Sequence, residues 1–220
     1  MKKIIILLCI GFFAACAQAE EKEAKVLIVT NMGNITVKLY NETPQHRDNF
    51  LKLAAENVYD SLLFHRVIKQ FMIQGGDPKS KYAKPEEKLG EGDLGYKVPA
   101  EIVYPKLFHK CGQLCAAREG DESNPSRASS ASQFYIVTGK FFTDNELNKM
   151  ELEKGIKLTA EQREAYKLQG GAPHLDGAYT VFGEVVKGMK VVHKIEMVMT
   201  DANDRPVKDV KIKYMKILKK

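Results

Sequence analysis

The sequence predicts a mainly β fold, an antiparallel barrel capped by two helices and carrying one helical insertion. Short segments of alternating or continuous apolar residues recur along most of the chain, as in strands that bury one or both faces. Amphipathic helical patterns stand far apart, near residues 44–56 and 189–198. Between them, residues 143–169 break the β pattern with charged helical sequence.

The first elements are a hairpin and a helix. Residues 26–30 are mostly apolar and residues 35–39 alternate, with a turn containing Gly33 between them. Thr43 is then expected to cap a helix whose first position is Pro44, since Pro is well placed in a first helical turn. This part of the chain therefore predicts two paired strands followed by a helix.

The remaining strands are short and well separated. They are predicted at residues 98–102, 113–117, 134–138, 181–186 and 210–214. A second helix, at 189–198, has Val191, Val192 and Ile195 on one face, which predicts packing against the sheet.

The insertion is predicted at about residues 140–172. Thr143 and Glu146 have the spacing of a capping box, and a second helix is expected to start near Thr159. A segment this short cannot bury a core of its own, so we expect it to pack on the main domain, residues 26–218.

Residues 1–19 have the pattern of a bacterial secretory signal rather than of a folded segment. Two lysines, Lys2 and Lys3, precede an apolar run at 4–13, and small residues follow. The run is about ten residues, too short to span the ~30 Å apolar core of a bilayer. A polar tether at 20–25 follows, and no later segment predicts a transmembrane span.

Two processing routes fit the leader equally. Ala17-Gln18-Ala19 has the small-x-small spacing for cleavage before Glu20, whereas residues 1–15 end in a lipoprotein-like box before Cys16. Both routes predict export to the periplasm, either as a soluble protein or with a lipid anchor at Cys16.

Cys111 and Cys115 are expected to be reduced thiols in the core. In a strand, four residues span about 13 Å, whereas the Cα atoms of a disulfide lie within ~7 Å of each other. His109 stands beside them, but His-x-Cys-x-x-x-Cys matches no common zinc site and lacks a fourth ligand. We therefore predict no metal.

The formal net charge of +6 is spread over the chain, with no cluster of basic and aromatic residues. Phosphate binding requires focused positive charge, so we predict no nucleic-acid partner. His46 and His193 fall on the predicted helices and are interpreted as surface residues.

Four sequence segments carry a family resemblance. FHRVI at 64–68 and FMIQGGD at 71–77 resemble the signature of cyclophilins, and SQFYI at 132–136 and LDGAYTVFG at 175–183 are similar to later blocks of that family, in the same order. The resemblance covers residues 26–218 apart from the insertion. It implies an eight-stranded antiparallel barrel, prolyl cis-trans isomerase activity without a cofactor, and a monomer that acts on proline-containing polypeptides.

The resemblance also implies roles for single residues. Arg66, Phe71 and Gln74 match the catalytic positions. The matched substrate-binding positions are His65, Met72, Ala117, Arg118, Gln133, Phe134, Tyr135, His174, Leu175 and Tyr179.

Within this set, Arg66 is expected to donate to the prolyl nitrogen, and Gln74 to hold Arg66 in place. Gln133 is expected to bond the peptide backbone, as is the segment Ala117-Arg118. Phe71, Met72, Tyr135 and Leu175 match the walls of the proline pocket, and His65 matches a residue on its rim.

The sequence departs from the family pattern at several of these positions. Tyr135 stands where Phe is usual, which predicts a hydroxyl at the pocket wall. Tyr179 replaces a frequent His, Arg118 a frequent Asn, and His174 a frequent Trp. The insertion directly precedes His174 and is expected to flank the groove.

Three functions can be compared with these observations. The leading hypothesis is a folding catalyst for exported proteins. The alternative is a module that holds proline-containing segments, with incidental catalysis. A structural envelope lipoprotein with a vestigial site predicts decay of the pocket residues, which the sequence does not show.

Overall fold

A computed structural model describes residues 23–218. The predicted leader, both processing sites (Cys16 and Glu20) and the first part of the predicted tether lie outside the described residues. Within 23–218, none of the helices has the length and apolar character needed to cross a membrane.

The described strands are β1 (Lys25–Thr30), β2 (Asn34–Leu39), β3 (Arg66–Ile68), β4 (Met72–Gly75), β5 (Lys97–Val98), β6 (Gln113–Ala116), β7 (Ser129–Ser130), β8 (Phe134–Val137), β9 (Val181–Lys187) and β10 (Ile212–Leu218). The described helices are α1 (Pro44–Ala55), α2 (Asp144–Lys154), α3 (Ala160–Leu168) and α4 (Met189–Glu196).

Eight strands form one curled antiparallel sheet in the order β10-β1-β2-β9-β6-β8-β4-β3, as predicted. The two ends of the sheet meet. The Phe64 N–H donates to the Val210 oxygen, and the Ile212 N–H donates to the Leu62 oxygen, both at 2.8 Å. The strand predicted at 98–102 is mostly wrong, because only Val98 belongs to a strand, in the small β5-β7 ribbon.

The core lies inside the curled sheet. Alternate residues of β1 and β2 point inward, for example Val26 and Ile35, and both are fully buried. From the two flanking helices, Phe50 of α1 and Ile195 of α4 enter the same apolar cluster. The predicted helical packing is therefore confirmed.

The N-terminus of α1 is capped by a residue distant in the sequence. Pro44 occupies the first turn as predicted, but the Thr43 side chain forms no capping bond, so that prediction is wrong. The Glu101 carboxylate instead accepts from the backbone N–H groups of Gln45 at 3.0 Å and His46 at 2.9 Å. A carboxylate suits this end of a helix because free N–H groups and the positive end of the dipole lie there.

His46 is buried, so its prediction as a surface residue is wrong. Its Nδ1 lies 2.6 Å from Glu101 Oε2, and its Nε2 lies 2.9 Å from Ser129 Oγ. Burial lowers the pKa of His46. The order Ser129–His46–Glu101 resembles a hydrolytic triad, but Ser129 is only 1% exposed, so we assign the three residues a structural role. His193 is exposed, as predicted.

α2 and α3 form the predicted helical segment, and both begin with a capping box, at Thr143 and Thr159. Their apolar side chains do not form an isolated core. Leu147 and Tyr166 pack in one cluster with Phe108, which precedes β6. The helices therefore depend on the barrel for their burial.

Cys111 and Cys115 are both free thiols, which confirms their prediction as unpaired cysteines. Cys115 is buried in the core, whereas Cys111 is half-buried. His109 binds Asp176 and Tyr135. Among residues 23–218, no group of three or more His, Cys, Asp or Glu side chains could hold a metal ion.

Candidate active site

The candidate site is organised by strand register. Arg66 of β3 pairs with Gln74 of β4, and Gln74 pairs with Tyr135 of β8. Directly paired residues project from the same face of a sheet. Met72, two residues before Gln74, shares that face. Three adjacent strands thus present one row of predicted site residues on the outer surface of the barrel.

An open cleft of about 180 Å³ covers this row. Nine of the predicted site residues line it: Arg66, Phe71, Met72, Gln74, Ala117, Arg118, Tyr135, Leu175 and Tyr179. Most of them come from separate strands and loops, so the fold brings together residues more than 100 positions apart.

Arg66 stands at the open edge of the cleft. Its side chain is 42% exposed, and its Nε lies 3.4 Å from Asp204 Oδ2. The Val67 N–H donates to the Asp204 oxygen at 2.8 Å, which attaches the Asp204 loop to β3. The side-chain amide of Gln74 donates to Gln133 Oε1 at 3.1 Å rather than engaging Arg66. Asp204, which sequence reasoning missed, is therefore the residue that contacts the guanidinium.

Gln133 lies in a groove that adjoins the cleft. Its Nε2 donates to the backbone oxygens of Gly90 at 3.0 Å and Gly92 at 2.9 Å. Glu91, Asp93 and Glu119 also line this groove, so its walls are polar and carry several carboxylates. The amide of Gln133 thus holds the 90–92 loop, and its predicted contact with a peptide backbone stays a prediction.

The close packing of β4 against β8 explains one glycine of the FMIQGGD segment. Gly76 has a φ of +89°, and a Cβ there would lie 2.1 Å from the Ser132 oxygen. Only glycine combines that backbone conformation with that approach.

Phe134 and His65 do not line the cleft, so their predicted substrate contacts are corrected. Phe134 is 1% exposed because strand alternation turns it inward, where its ring packs edge-on against Phe50. His65 is 3% exposed rather than on a rim, and a Cβ placed on Gly90 would lie 3.7 Å from its Nε2. It lies beneath the loop that the Gln133 amide holds.

The Ala117-Arg118 segment is only partly open to a peptide. The Ala117 N–H donates to the Gln133 backbone oxygen, and the Ala117 carbonyl accepts from the Ser130 N–H. Both backbone groups of Ala117 are therefore paired within the protein, and backbone pairing with a substrate stays a prediction for Arg118. The Arg118 guanidinium lies 4.3 Å from the Tyr179 ring centroid, in a cation–π contact. It also bonds the Ala178 oxygen at 2.9 Å, so this side chain supports the cleft wall.

His174 lies beside the cleft. It is exposed, and its ring centroid is 5.2 Å from that of Phe71. The Lys154 ammonium of α2 donates to the His174 backbone oxygen. The predicted helical segment therefore contacts the loop next to the cleft.

Residues 25–217 match the family model described as cyclophilin type peptidyl-prolyl cis-trans isomerase. The chain belongs to this family. It is 31% identical over 203 residues to a peptidyl-prolyl cis-trans isomerase of Arabidopsis thaliana, covering 92% of this chain and 98% of the plant protein. It is 33% identical over 198 residues to a peptidyl-prolyl cis-trans isomerase-like 2 protein of Rhizopus delemar, covering 90% of this chain. The chain spans 29% of the length of this Rhizopus protein and 38% of the length of another larger curated relative.

The solved structures support the same family. A cyclophilin-type peptidyl-prolyl cis-trans isomerase of Cryptosporidium parvum has a TM-score of 0.66 and 26% identity, covering 90% of this chain and 99% of that one. A second structure of that protein was determined in the presence of the dipeptide Ala-Pro, with a TM-score of 0.65.

Tyr135 of this cyclophilin does not direct its hydroxyl into the cleft, which corrects the prediction of a polar group on the wall. The hydroxyl lies 3.0 Å from His109 Nε2, behind the pocket, while the ring lines the cleft. His109 bonds Asp176 in turn. Asp176 belongs to the LDGAYTVFG segment but was given no role from sequence, because its partner is 67 positions away.

The buried His65 of this cyclophilin predicts acid-sensitive folding. Neither ring nitrogen has a hydrogen-bond partner in the described residues. Burial lowers its pKa from 6.5 to about 4, against the attraction of Asp77. Between these two values the unfolded chain binds a proton that the folded chain does not, so stability falls as pH decreases from 6.5 toward 4.

We therefore expect the wild type to lose about 1–2 kcal/mol more unfolding free energy than His65→Gln between pH 7 and pH 5. Urea denaturation at both pH values measures the difference. His193→Gln, which removes an exposed histidine that pairs with Glu196, serves as the control and should not reduce the acid sensitivity of the wild type. Equal acid sensitivity of the wild type and His65→Gln would contradict this assignment.

Proposed function

We propose that the chain is a peptidyl-prolyl cis-trans isomerase for exported proline-containing polypeptides, with Arg66 as its catalytic residue. One observation carries the proposal. A guanidinium paired with Asp204 stands at the edge of a cleft whose walls include Phe71, Met72, Tyr135 and Leu175. This combination suits a prolyl ring and the amide next to it.

The reaction requires only that the amide be twisted. Resonance keeps the X-Pro bond planar, with a barrier of about 18–20 kcal/mol. Twisting breaks the resonance, and the prolyl nitrogen gains a lone pair that can accept a hydrogen bond. A cationic donor beside that nitrogen stabilises the twisted state more than either planar state, which lowers the barrier. Arg66 can serve as this donor because a guanidinium stays charged and presents its N–H groups in a rigid fork.

The required stabilisation is modest. Uncatalysed isomerisation takes tens to hundreds of seconds. Shortening it from about 100 s to about 10 ms is a factor of ~10⁴, equivalent to about 5–6 kcal/mol. One charged hydrogen bond contributes about 1.5–3 kcal/mol, and the remainder is within reach of apolar contact and orientation in the cleft.

Two further observations bear on the substrate. The Cryptosporidium relative was crystallised in the presence of Ala-Pro, which supports a proline-containing ligand here. Lys154 places α2 next to the cleft, which favours a second role in holding client polypeptides. Isomerisation and the holding of client polypeptides use the same pocket, so the two functions differ only in whether Arg66 accelerates the reaction.

We expect Arg66→Ala to lower kcat/KM at least tenfold in a protease-coupled assay on a short X-Pro peptide. The substitution removes a donor used in the transition state and leaves the apolar walls in place. Arg47→Ala, which removes another ion-paired arginine from α1, is the control and should retain full activity. An unchanged rate in Arg66→Ala, with peptide binding intact, would favour the binding module instead.

Asp204→Asn should lower kcat/KM about three- to tenfold, because the carboxylate contacts Arg66 Nε and restricts the guanidinium. The amide keeps the size of the side chain but loses its charge. In an Arg66→Ala background the same substitution should have no further effect, since its target is absent. Additive losses in the double variant would show that Asp204 acts elsewhere.

Export predicts a defined mature end. The native protein should begin at Glu20 or carry a diacylated Cys16, and intact-mass spectrometry of protein from the native host distinguishes the two. A protein that retains Met1 would refute the export proposal.

A further inference from the structure

A chain of buried hydrogen bonds runs behind the proline cleft. Tyr135 Oη lies 3.0 Å from His109 Nε2, and His109 Nδ1 lies 2.9 Å from Asp176 Oδ1. The Tyr166 hydroxyl donates to Asp176 Oδ2 at 2.5 Å. The backbone N–H of His109 also donates to Asp176 Oδ1, at 2.9 Å. Four side chains from β8, α3 and two loops are therefore joined in one series.

These groups are shielded from water. The side chains of His109 and Asp176 are each 1% exposed, and Tyr166 is fully buried. Such a carboxylate is costly to bury unless its oxygens accept hydrogen bonds. Here each oxygen has at least one donor, so the chain is a satisfied network rather than a chance contact.

The donors and acceptors form a consistent order. The Asp176 carboxylate accepts, which places a proton on His109 Nδ1. In the neutral ring Nε2 is then an acceptor, and it receives the Tyr135 O–H. Both tyrosine hydroxyls thus donate inward, toward the histidine and the carboxylate.

The network contacts the cleft on two sides. Asp176 directly follows Leu175, which lines the cleft. The Tyr179 ring packs edge-on against His109 and Tyr135, with centroid distances of 6.4 Å and 6.2 Å. The buried His109–Asp176 pair thus contacts or directly adjoins three residues of the pocket wall, Tyr135, Leu175 and Tyr179.

We propose that His109, Asp176 and Tyr166 are positioning residues that set the shape and the apolar character of the proline pocket, with α3 as a structural support of the site. By binding the Tyr135 hydroxyl, His109 keeps a polar group out of the cleft and leaves a ring surface facing a prolyl side chain. By holding Asp176, Tyr166 fixes the loop that carries Leu175. This proposal rests on the proposed function only in taking a proline-containing peptide as the ligand.

The test is Tyr166→Phe, which removes one hydroxyl and keeps the ring. We expect the dissociation constant of a short Ala-Pro peptide, measured by NMR titration, to rise about three- to tenfold. In the isomerase assay KM should rise while kcat changes little, because binding in the ground and transition states weakens together.

Tyr40→Phe is the matched control. It also removes a buried tyrosine hydroxyl bond, to Gln113 Oε1 at 3.0 Å, and keeps the Tyr40 ring, which packs in the same apolar cluster as Tyr135 without lining the cleft. Both variants should lower the melting temperature, by about 2–4 °C for Tyr40→Phe and by about twice that for Tyr166→Phe, because the partner lost in Tyr166→Phe is a carboxylate. Only Tyr166→Phe should weaken peptide binding, so the comparison separates positioning from general loss of stability.

A second measurement examines the proton order directly. In ¹⁵N spectra of the wild type, His109 Nδ1 should carry a proton, because it faces the Asp176 carboxylate. The opposite tautomer, or equal peptide affinity in Tyr166→Phe and Tyr40→Phe, would overturn the proposal. If the wild-type protein binds the peptide but does not isomerise it, only the proposed function is refuted. The peptide affinities of Tyr166→Phe and Tyr40→Phe would still decide whether the positioning proposal holds.

Discussion

The hydrogen-bond register of β3, β4 and β8 is the constraint on which the site depends. Arg66, Gln74 and Tyr135 project together because they are paired residue by residue. Side chains alternate between the two faces of a strand, so a shift of one residue would move Tyr135 into the core and bring Phe134 out. The same register that buries Ile73 among apolar neighbours therefore places the candidate catalytic row on the outer face.

Loops around this row are held by buried polar groups rather than by the sheet. Arg205, only 6% exposed, donates to the backbone oxygens of Lys84 at 2.9 Å and Glu87 at 2.7 Å. Asp77 accepts from the Gly90 N–H. Charged groups serve well here because loop backbones have free N–H and C=O groups, and an ionised partner forms stronger hydrogen bonds. The neighbouring residue, Asp204, then reaches Arg66.

Polar contacts also attach the helical segment to the loops of the barrel. α2 and α3 bury their apolar residues on Phe108, while Tyr166 and Lys154 make polar contacts with the loop of Asp176 and His174. Apolar burial fixes where the helices sit, and the polar contacts connect them to the cleft. The segment that the sequence predicted to flank the groove thus also contacts the groups behind the pocket wall.

The sequence by itself determined the fold class, most strands and helices, and the residues that form the cleft. Alternation and helical spacing are local properties, and the family resemblance rests on short continuous segments, so both can be read along the chain. The partners of those residues were decided only by the tertiary structure. Glu101 rather than Thr43 caps α1, Asp204 rather than Gln74 is the polar partner of the Arg66 guanidinium, and His109 binds the Tyr135 hydroxyl. Each of these partners is distant in the sequence, and no local sequence pattern predicts which group a carboxylate or an imidazole will bind. Burial likewise depends on which segment covers a residue, which is why His65 and His46 lie inside the protein, although His46 was predicted at the surface and His65 on the rim of the site.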